Sequence, residues 1–335
     1  MAIAALIFTA TSATAQVTLE EPVRDQATQV TGRAADYIAP KKLDFRVVDI
    51  ISEGVRIHGE VYSLTALRGK KLPTVIMGHG WGGVAASFRR DAEELAAQGF
   101  LVLAFDYRGW GESDHRVVLT GIEPSKLPAD RRYTTGVEAV GGYVDPFEQA
   151  KDWFNAINWA TGESMVDPER IGLRGSSNSG GLVIYVAAHD DRVKAIAAQV
   201  PGIASRPSAD YRPAAGTPGH QYWVNRHRRS VAMARGESGY PEPRAVVVGS
   251  LIGAPMEFQR WWPMEDAGWV KVPALIILAD KEELVDNQRH GIAAYNRFAG
   301  LKRIETVSGG HYAVYLDQRR KAVELTAGWF KEHLK

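Results

Sequence analysis

"RGSSNSGG", Arg174–Gly181, places three serines and three glycines between two apolar segments of different length. The stretch begins at the end of RIGLRG, 170–175, which has the length of a buried strand, and it ends at the start of GGLVIYVAAHD, 180–190, which has that of a helix. A strand, a sharp turn and a helix in succession are the setting in which a G-x-S-x-G motif exposes a serine side chain. Counted from Gly175, the third position is Ser177, which we predict to be the reactive serine.

The fifth position of this motif is Ser179, where the usual residue is glycine. A small residue suits this position because the helix packs closely on the strand. The rival register makes Ser179 the reactive residue, but it places the hydroxyl deeper in the helix, where it is less exposed. A third interpretation treats all the serines as a polar turn that caps the helix.

Apolar strand-like segments alternate with amphipathic helical segments over most of the chain. Strands are predicted at 72–80, 101–111, 170–175, 193–202, 272–280 and 301–310, with a hairpin at 44–64, and helices at 87–100, 146–163, 180–190, 287–300 and 318–335. Asp145 is the predicted N-cap of the second helix, with Pro146 in its first turn. The alternation predicts the α/β class, with a mostly parallel, doubly wound sheet covered on both faces. The loops at the carboxyl ends of such strands are where a functional site forms.

One segment interrupts the alternation. Residues from about 203 to about 269 are rich in Pro, Gly, Arg and Trp and show no clear period, which predicts an inserted cap over the site. We therefore expect one α/β domain over 44–335, preceded by a leader or linker over 16–43. Cap side chains that could line a pocket or simply pack the cap are Tyr222, Trp223, Trp261, Trp262, Arg226, Arg228 and Arg229.

Composition excludes several classes of function. The 335 residues carry a formal net charge of +1, so no overall field attracts nucleic acid or an anionic membrane. There is no cysteine, which removes disulfides, thiol nucleophiles and thiolate metal sites. No apolar run reaches the roughly 18 residues of a membrane-spanning helix.

The N-terminus resembles a secretory signal over residues 1–15. An apolar run from Ala2 to Ala10 is followed by Ala13-Thr14-Ala15, which fits an A-x-A cleavage site, although no basic residue precedes the run. We expect a periplasmic or secreted protein if this segment directs export, and a cytoplasmic one otherwise.

A reactive serine needs a base and a group that orients the base. In enzymes with this serine motif, the acid and then the histidine follow the serine along the chain. His311 follows the strand at 301–310, at the same sheet edge as Ser177, and is the predicted base. Asp280 ends the strand at 272–280 and Glu282 lies two residues on, and strand alternation would turn Lys281 and Glu283 away. Periodicity does not separate Asp280 from Glu282.

Two backbone N–H groups are predicted to stabilise an oxyanion. One belongs to Asn178, directly after the serine, and the other to Trp81 in the loop HGWGG, His79–Gly83. The glycines of this loop let its backbone approach the reacting atoms closely.

Four motifs together, HGWGG, FDYRGWGESD, VDPERIGLRGSSNSGG and GGHYAVY, resemble the α/β-hydrolase superfamily. More narrowly, they resemble its dienelactone-hydrolase-like and Xaa-Pro-dipeptidyl-peptidase-like esterases. The resemblance runs from about Asp44 to the C-terminus, apart from most of the cap, and implies the α/β-hydrolase fold. In similar proteins the acid stands just before Glu-Leu, a position held here by Glu282. Dienelactone hydrolases proper use a cysteine nucleophile, which this chain lacks.

These observations predict a serine hydrolase that cleaves a carboxylic ester, lactone or thioester through an acyl-enzyme. Ser177 is the nucleophile, His311 the base and Glu282 the acid, with Trp81 and Asn178 at the oxyanion. The expected partner is a small ester-type molecule, with no metal, no organic cofactor, no nucleic acid and no membrane span. The alternatives are acyl transfer or peptide hydrolysis on the same fold, and a binding protein without catalysis. The oligomeric state is left open.

Overall fold

The computed structural model describes most of the predicted α/β domain. The described residues are 32–121, 123–130, 132–140, 143–203, 215–216, 224, 231, 234–235, 252–253 and 260–335. The signal-like segment 1–15, the first part of the predicted leader, and most of the predicted cap lie outside these residues.

Strands make up the centre of the described chain. They are β1 (Leu43–Ser52), β2 (Val55–Leu64), β3 (Leu72–Gly78), β4 (Leu101–Phe105), β5 (Arg116–Thr120), β6 (Gly136–Val140), β7 (Tyr143–Val144), β8 (Val166–Ser176), β9 (Val193–Gln199), β10 (Ile252–Gly253), β11 (Ala274–Ala279) and β12 (Lys302–Val307). Eight of these form one sheet in the order β1-β2-β4-β3-β8-β9-β11-β12. β2 pairs antiparallel with β1 and β4, and the remaining pairs are parallel. The predicted fold class is confirmed.

Helices cover both faces of this sheet. The α-helices are α1 (Arg89–Ala97), α2 (Pro146–Gly162), α3 (Asn178–His189), α4 (Pro263–Asp266), α5 (Gly291–Arg297) and α6 (Arg319–His333). Short 3₁₀ turns lie at Ala34–Asp36, Thr65–Leu67, Ala85–Phe88, Pro124–Lys126, Ala267–Trp269 and His311–Tyr315. The antiparallel pair of β5 and β6 was not predicted from the sequence.

The start of α2 follows directly from its sequence. The Asp145 carboxylate accepts the backbone N–H groups of Phe147 and Glu148, at 3.0 and 3.2 Å, and Pro146 occupies the first turn. These N–H groups have no acceptor within the helix, so the side chain supplies one. The predicted N-cap is therefore confirmed.

Successive strand residues point to opposite faces of the sheet. Side chains on both of these faces are buried. Val75 and Ile76 are neighbours on β3, and both side chains are fully buried. Val75 packs in the same layer as Phe330 of α6, whereas Ile76 packs in the layer of Trp153 from α2. A strand buried on both faces reads as a continuous apolar run, which is the pattern that the sequence showed.

Two segments that the sequence assigned outside the domain core contribute to it. Tyr37, in the predicted leader, is 7% exposed, and its hydroxyl donates to Glu93 of α1 at 2.5 Å. Trp261, in the predicted cap, is 2% exposed and packs against Phe147 and Tyr185, with ring centroids 5.2 and 4.8 Å away. Of the two possibilities for Trp261, packing is the one that the structure shows.

A buried ion pair fixes α1 against the sheet. Arg89, the first residue of α1, donates to Glu60 of β2 at 2.6 Å, and both side chains are 1% exposed. The Tyr62 hydroxyl donates to the same carboxylate at 2.5 Å. Burial alone would raise the pKa of Glu60, but hydrogen bonds from His58 and Arg89 lower it to about 2. Glu60 therefore stays ionised beside its partner.

We expect Glu60→Ala to lower the free energy of unfolding by about 3–5 kcal/mol, because Arg89 is then left buried without a counter-charge. Urea denaturation near neutral pH measures this. The Glu60 pKa lies below its unfolded value of 4.5, so the stabilisation is present above pH 4.5 and is lost as the pH falls towards 2.

The exposed pair Glu123–Lys126 provides the control, with side chains 66% and 72% exposed. Glu123→Ala should change the unfolding free energy by less than about 0.5 kcal/mol, as is usual for a surface site. Equal losses for the two variants would show that the buried pair does not anchor α1.

Candidate active site

Ser177 lies on a strained turn between a strand and a helix. β8 ends at Ser176 and α3 begins at Asn178, while Ser177 has φ 54° and ψ −117°. Its N–H donates to the Gln199 carbonyl at 3.0 Å. Its own carbonyl accepts the N–H groups of Gly180 and Gly202, at 2.9 and 2.8 Å. These bonds hold the turn in a conformation that a serine rarely adopts.

Two glycines make room for this turn. A Cβ atom on Gly175 would lie 2.1 Å from the carbonyl oxygen of Ser179, and one on Gly80 would lie 2.9 Å from the Cβ of Ser177. Any side chain at these positions would push the helix or the neighbouring loop away. The glycines therefore let β8, α3 and the HGWGG loop meet at Ser177.

The three serines of the opening motif have separate environments. The Ser176 hydroxyl bonds to Tyr315 and accepts from the Gln199 amide at 2.9 Å. Ser179 is fully buried, and its hydroxyl bonds to the carbonyl oxygen of His79. Of the three, Ser177 is the serine that lines the pocket formed by the described residues. The serine of the predicted register is thus the one that faces the pocket.

His311 connects this serine to Glu282. The imidazole Nε2 lies 3.0 Å from the Ser177 Oγ, and Nδ1 lies 2.9 Å from each carboxylate oxygen of Glu282. The His311 and Glu282 side chains are 4% and 1% exposed. Because a carboxylate only accepts, Nδ1 carries the proton and Nε2 is free to accept one from the serine.

The neighbouring acidic residues hold the backbone of the histidine loop. Asp280 accepts the N–H of Gly309 at 2.7 Å, and Glu283 accepts the N–H of His311 at 2.8 Å. The expectation that Glu283 turns away was wrong, because β11 ends at Ala279 and strand alternation does not continue beyond it. Glu282 itself accepts two backbone N–H groups of its own loop, from Leu284 and Val285.

The Trp81 N–H is oriented by the peptide bond that it shares with Gly80. The Gly80 carbonyl accepts from the His79 ring at 3.0 Å and from the Gly83 N–H at 3.1 Å. In a planar trans peptide the N–H points opposite to the carbonyl, so the Trp81 N–H points away from both donors. Trp81 also lines the same pocket as Ser177.

The Asn178 N–H is the second predicted oxyanion donor. Asn178 is the first residue of α3, and the first N–H groups of a helix have no acceptor inside it. Its side-chain amide donates to Gln149 at 2.9 Å. The oxyanion roles of Asn178 and Trp81 remain predictions.

His79 is a structural residue of this loop. Burial lowers its pKa to about 4, so the ring is neutral near pH 7 and donates from Nδ1 to Gly80. Asp106, whose carboxylate lies 3.9 Å from the His79 Nε2, has its pKa raised to about 6 by burial. It accepts the N–H groups of Ala85 and Glu112, at 2.6 and 2.9 Å, and so joins the loops that follow β3 and β4.

Sequence reasoning missed Tyr107, Tyr315 and Glu283. The Tyr107 hydroxyl lies 2.5 Å from the Ser179 Oγ, and Tyr315 contacts Ser176 and lines the pocket. Both tyrosines belong to motifs that the sequence analysis quoted, FDYRGWGESD and GGHYAVY. The motifs carried the family resemblance, but they did not assign either tyrosine to the site or show which serine each one contacts.

The pocket beside Ser177 has a volume of about 360 Å³. The described residues that line it are His79, Gly80, Trp81, Gly82, Gly83, Ser87, Phe88, Ser177, Leu284, His311, Tyr312 and Tyr315. Five of these residues, Trp81, Phe88, Leu284, Tyr312 and Tyr315, bring large apolar or aromatic side chains, which are typical of sites for small molecules. Tyr222, Trp223, Arg226, Arg228 and Arg229, which the sequence analysis named as cap residues, lie outside the described residues.

The sequence model of the X-Pro dipeptidyl-peptidase (S15) family matches residues 53–232, just over half of the 335-residue chain. The chain belongs to this family. It is therefore a hydrolase of the α/β-hydrolase fold, as the motifs implied. The match includes both the HGWGG loop and the serine turn.

Two relatives cover different shares of the chain. The chain is 28% identical over 293 residues to the "uncharacterized 31.7 kDa protein in traX-finO intergenic region" of Escherichia coli, covering 79% of this chain and 92% of that protein. It is 29% identical over 221 residues to the thiohydrolase aneE of Aspergillus aculeatus, covering 65% of this chain and 58% of the relative.

Comparison with solved structures supports the fold. The structure of DcsB in complex with its substrate analogue matches with a TM-score of 0.67 and 22% identity, covering 87% of this chain and 99% of that one. In the described parts of this chain, every helix falls short of the length and apolarity that crossing a bilayer requires.

We expect Glu282→Gln to lower kcat/KM for an activated ester by about a thousandfold or more, because the imidazole loses both its orientation and its counter-charge. Asp280→Asn is the matched control, since asparagine keeps an oxygen that accepts the Gly309 N–H. Steady-state kinetics of both variants, with folding checked by circular dichroism, measures the difference. If Asp280→Asn alone loses kcat/KM to this extent, the acid is Asp280.

Proposed function

We propose that this chain is a serine hydrolase that cleaves a carboxylic ester, lactone or thioester through an acyl-enzyme. The observation that carries the proposal is the continuous hydrogen-bonded series from Ser177 through His311 to Glu282 at the wall of the pocket. This is the arrangement in which a serine hydroxyl becomes a nucleophile near neutral pH.

Acylation begins with the attack of the Ser177 Oγ on the substrate carbonyl. His311 Nε2 accepts the hydroxyl proton as the new C–O bond forms, and Glu282 stabilises the resulting imidazolium through Nδ1. The carbonyl oxygen becomes an oxyanion, which the N–H groups of Trp81 and Asn178 stabilise. His311 then returns the proton to the leaving alcohol or thiol as the carbonyl re-forms.

Deacylation repeats these steps with water. His311 accepts a proton from the water as its oxygen attacks the acyl carbon, and it returns the proton to Ser177 when the acid product leaves. The carboxylate of Glu282 lies 2.9 Å from Nδ1, where it can stabilise the imidazolium in this half-reaction as well. Glu283 and Asp280 hold the backbone of the same loop, so the ring keeps its position between the two half-reactions.

The pocket wall favours an uncharged apolar group next to the reacting carbonyl. Trp81, Phe88 and Leu284 supply the apolar wall, and Leu284 and Tyr312 are more than half exposed at its rim. Burying a charge against such a wall is unfavourable. The 29% identity to a thiohydrolase supports a thioester as one form of this substrate. The family also includes peptidases, so a peptide bond is the alternative substrate.

A fluorophosphonate probe should label the wild-type protein at one serine, Ser177, because this reagent captures activated serine nucleophiles. Ser177→Ala should abolish both labelling and hydrolysis of p-nitrophenyl acetate, and His311→Ala should lower both strongly. Mass spectrometry of the labelled peptide identifies the serine.

Labelling of Ser177→Ala at the wild-type rate would overturn this proposal. The same conclusion would follow if the wild type neither reacted with the probe nor hydrolysed any ester, thioester or lactone. Folding of each variant is checked by circular dichroism before its activity is compared.

A pair of esters of equal chain length tests the preference for an uncharged group. We expect kcat/KM for p-nitrophenyl hexanoate to exceed that for the p-nitrophenyl monoester of adipic acid by about tenfold or more, because the second places a carboxylate against an apolar wall. Rates are corrected for hydrolysis without enzyme.

Leu284→Arg provides the complementary variant, because this side chain is 58% exposed at the rim and its replacement leaves the core untouched. This variant should reduce the ratio between the kcat/KM values of the two esters. Equal kcat/KM values for the two esters in the wild type would contradict an apolar site. Hydrolysis of p-nitrophenyl acetate, whose acyl group is small, tests the chemistry separately.

A further inference from the structure

The Ser179 hydroxyl lies between two groups that belong to different loops. Ser179 is fully buried on the first turn of α3, and its Oγ bonds to the carbonyl oxygen of His79. On its other side, the Tyr107 hydroxyl lies 2.5 Å away. His79 begins the HGWGG loop after β3, whereas Tyr107 follows β4. One side chain therefore joins the serine helix to both loops.

The direction of each hydrogen bond in this series is determined by chemistry. The His79 carbonyl can only accept, so Ser179 donates its single hydrogen to it. Tyr107 must then donate to Ser179, and its oxygen accepts from the indole Nε1 of Trp153 at 2.8 Å. An indole N–H only donates. Each group in the series therefore donates a hydrogen bond to the next, from Trp153 through Tyr107 and Ser179 to the HGWGG loop.

This series holds the loop that carries the Trp81 N–H. Ser179 holds the carbonyl of His79, and the next carbonyl, that of Gly80, is held by the His79 ring and by the Gly83 N–H. Two consecutive peptide units are thereby fixed, the second of which contains the Trp81 N–H. Ser179 also belongs to the helix that begins with Asn178. The hydroxyl therefore ties together the two elements that supply the oxyanion donors.

We propose that Ser179 is a positioning residue of the oxyanion hole, whose hydroxyl holds the HGWGG loop in register with the serine turn. This inference rests on the proposed function, because it needs a reaction that forms an oxyanion. It gives a reason for the departure from G-x-S-x-G: a glycine at the fifth position has no hydroxyl and could not hold the His79 carbonyl.

Two variants at this position test the proposal. Ser179→Ala removes the hydroxyl, and we expect kcat for an activated ester to fall by between about tenfold and a hundredfold while KM stays unchanged. Ser179→Cys keeps a side chain of similar size with a weaker donor, and its kcat should be intermediate. It also remains available as a test if the alanine variant does not fold.

The second readout is inhibition by a trifluoromethyl ketone, which forms a tetrahedral adduct on Ser177 with an oxyanion. Its affinity should weaken in Ser179→Ala by the same factor as kcat, because both depend on the two N–H donors. A loss of kcat without any loss of this affinity would overturn the proposal, and so would a kcat equal to that of the wild type.

Thr326→Val is the matched control. Thr326 is a fully buried residue of α6 whose hydroxyl also donates to a backbone carbonyl, that of Ala322 at 2.8 Å. It should leave kcat and inhibitor affinity unchanged, and an equal loss in this variant would also overturn the proposal. If Ser177→Ala is inactive while Ser179→Ala is fully active, the inference about Ser179 fails and the proposed function stands. If Ser177→Ala is active, the proposed function fails.

Discussion

The conformation of Ser177 is the constraint on which the site depends. A serine with φ 54° is in a sparsely populated region of backbone space, which costs about 1–3 kcal/mol. Three backbone hydrogen bonds offset this cost: the Ser177 N–H donates to Gln199 of β9, and the Ser177 carbonyl accepts from Gly180 of α3 and from Gly202, which follows β9. β8 and α3 approach closely at Gly175, where a Cβ atom would lie 2.1 Å from the carbonyl oxygen of Ser179. The turn in return directs one hydroxyl out of the core and into the pocket.

A buried polar network stabilises the strand that leads into this turn. Arg174 of β8 is 2% exposed and bonds to Asp91 of α1 at 2.7 Å and to Gln199 of β9 at 3.0 Å. Its guanidinium lies 5.2 Å from the ring of Phe88, and Arg319 of α6 reaches the same aspartate at 3.0 Å. Buried charges are tolerated when they are paired in this way. The strand under the serine is therefore tied to two helices and to its neighbouring strand.

The parallel sheet explains why distant residues meet here. The loops after β3, β8, β11 and β12 all leave the carboxyl edge of the sheet, and they carry Trp81, Ser177, Glu282 and His311 respectively. The loop after β4 adds Tyr107, which reaches the serine helix from the side. The family relation agrees with this construction, since α/β hydrolases place their reactive groups on loops over a shared sheet.

The sequence by itself determined the strands of the main sheet, their order along the chain and most of the helices between them, because apolar periodicity and helix caps are local properties. It was enough to identify the serine turn, to place a histidine at the end of β12, and to show that a carboxylate follows β11. Tertiary structure decided which carboxylate contacts His311, because β11 ends at Ala279 and the path of the loop beyond it has no period. It also decided the contacts of Ser179, whose partner Tyr107 is 72 positions away. A contact over that distance depends on how strands and helices pack, and a local pattern carries no information about it.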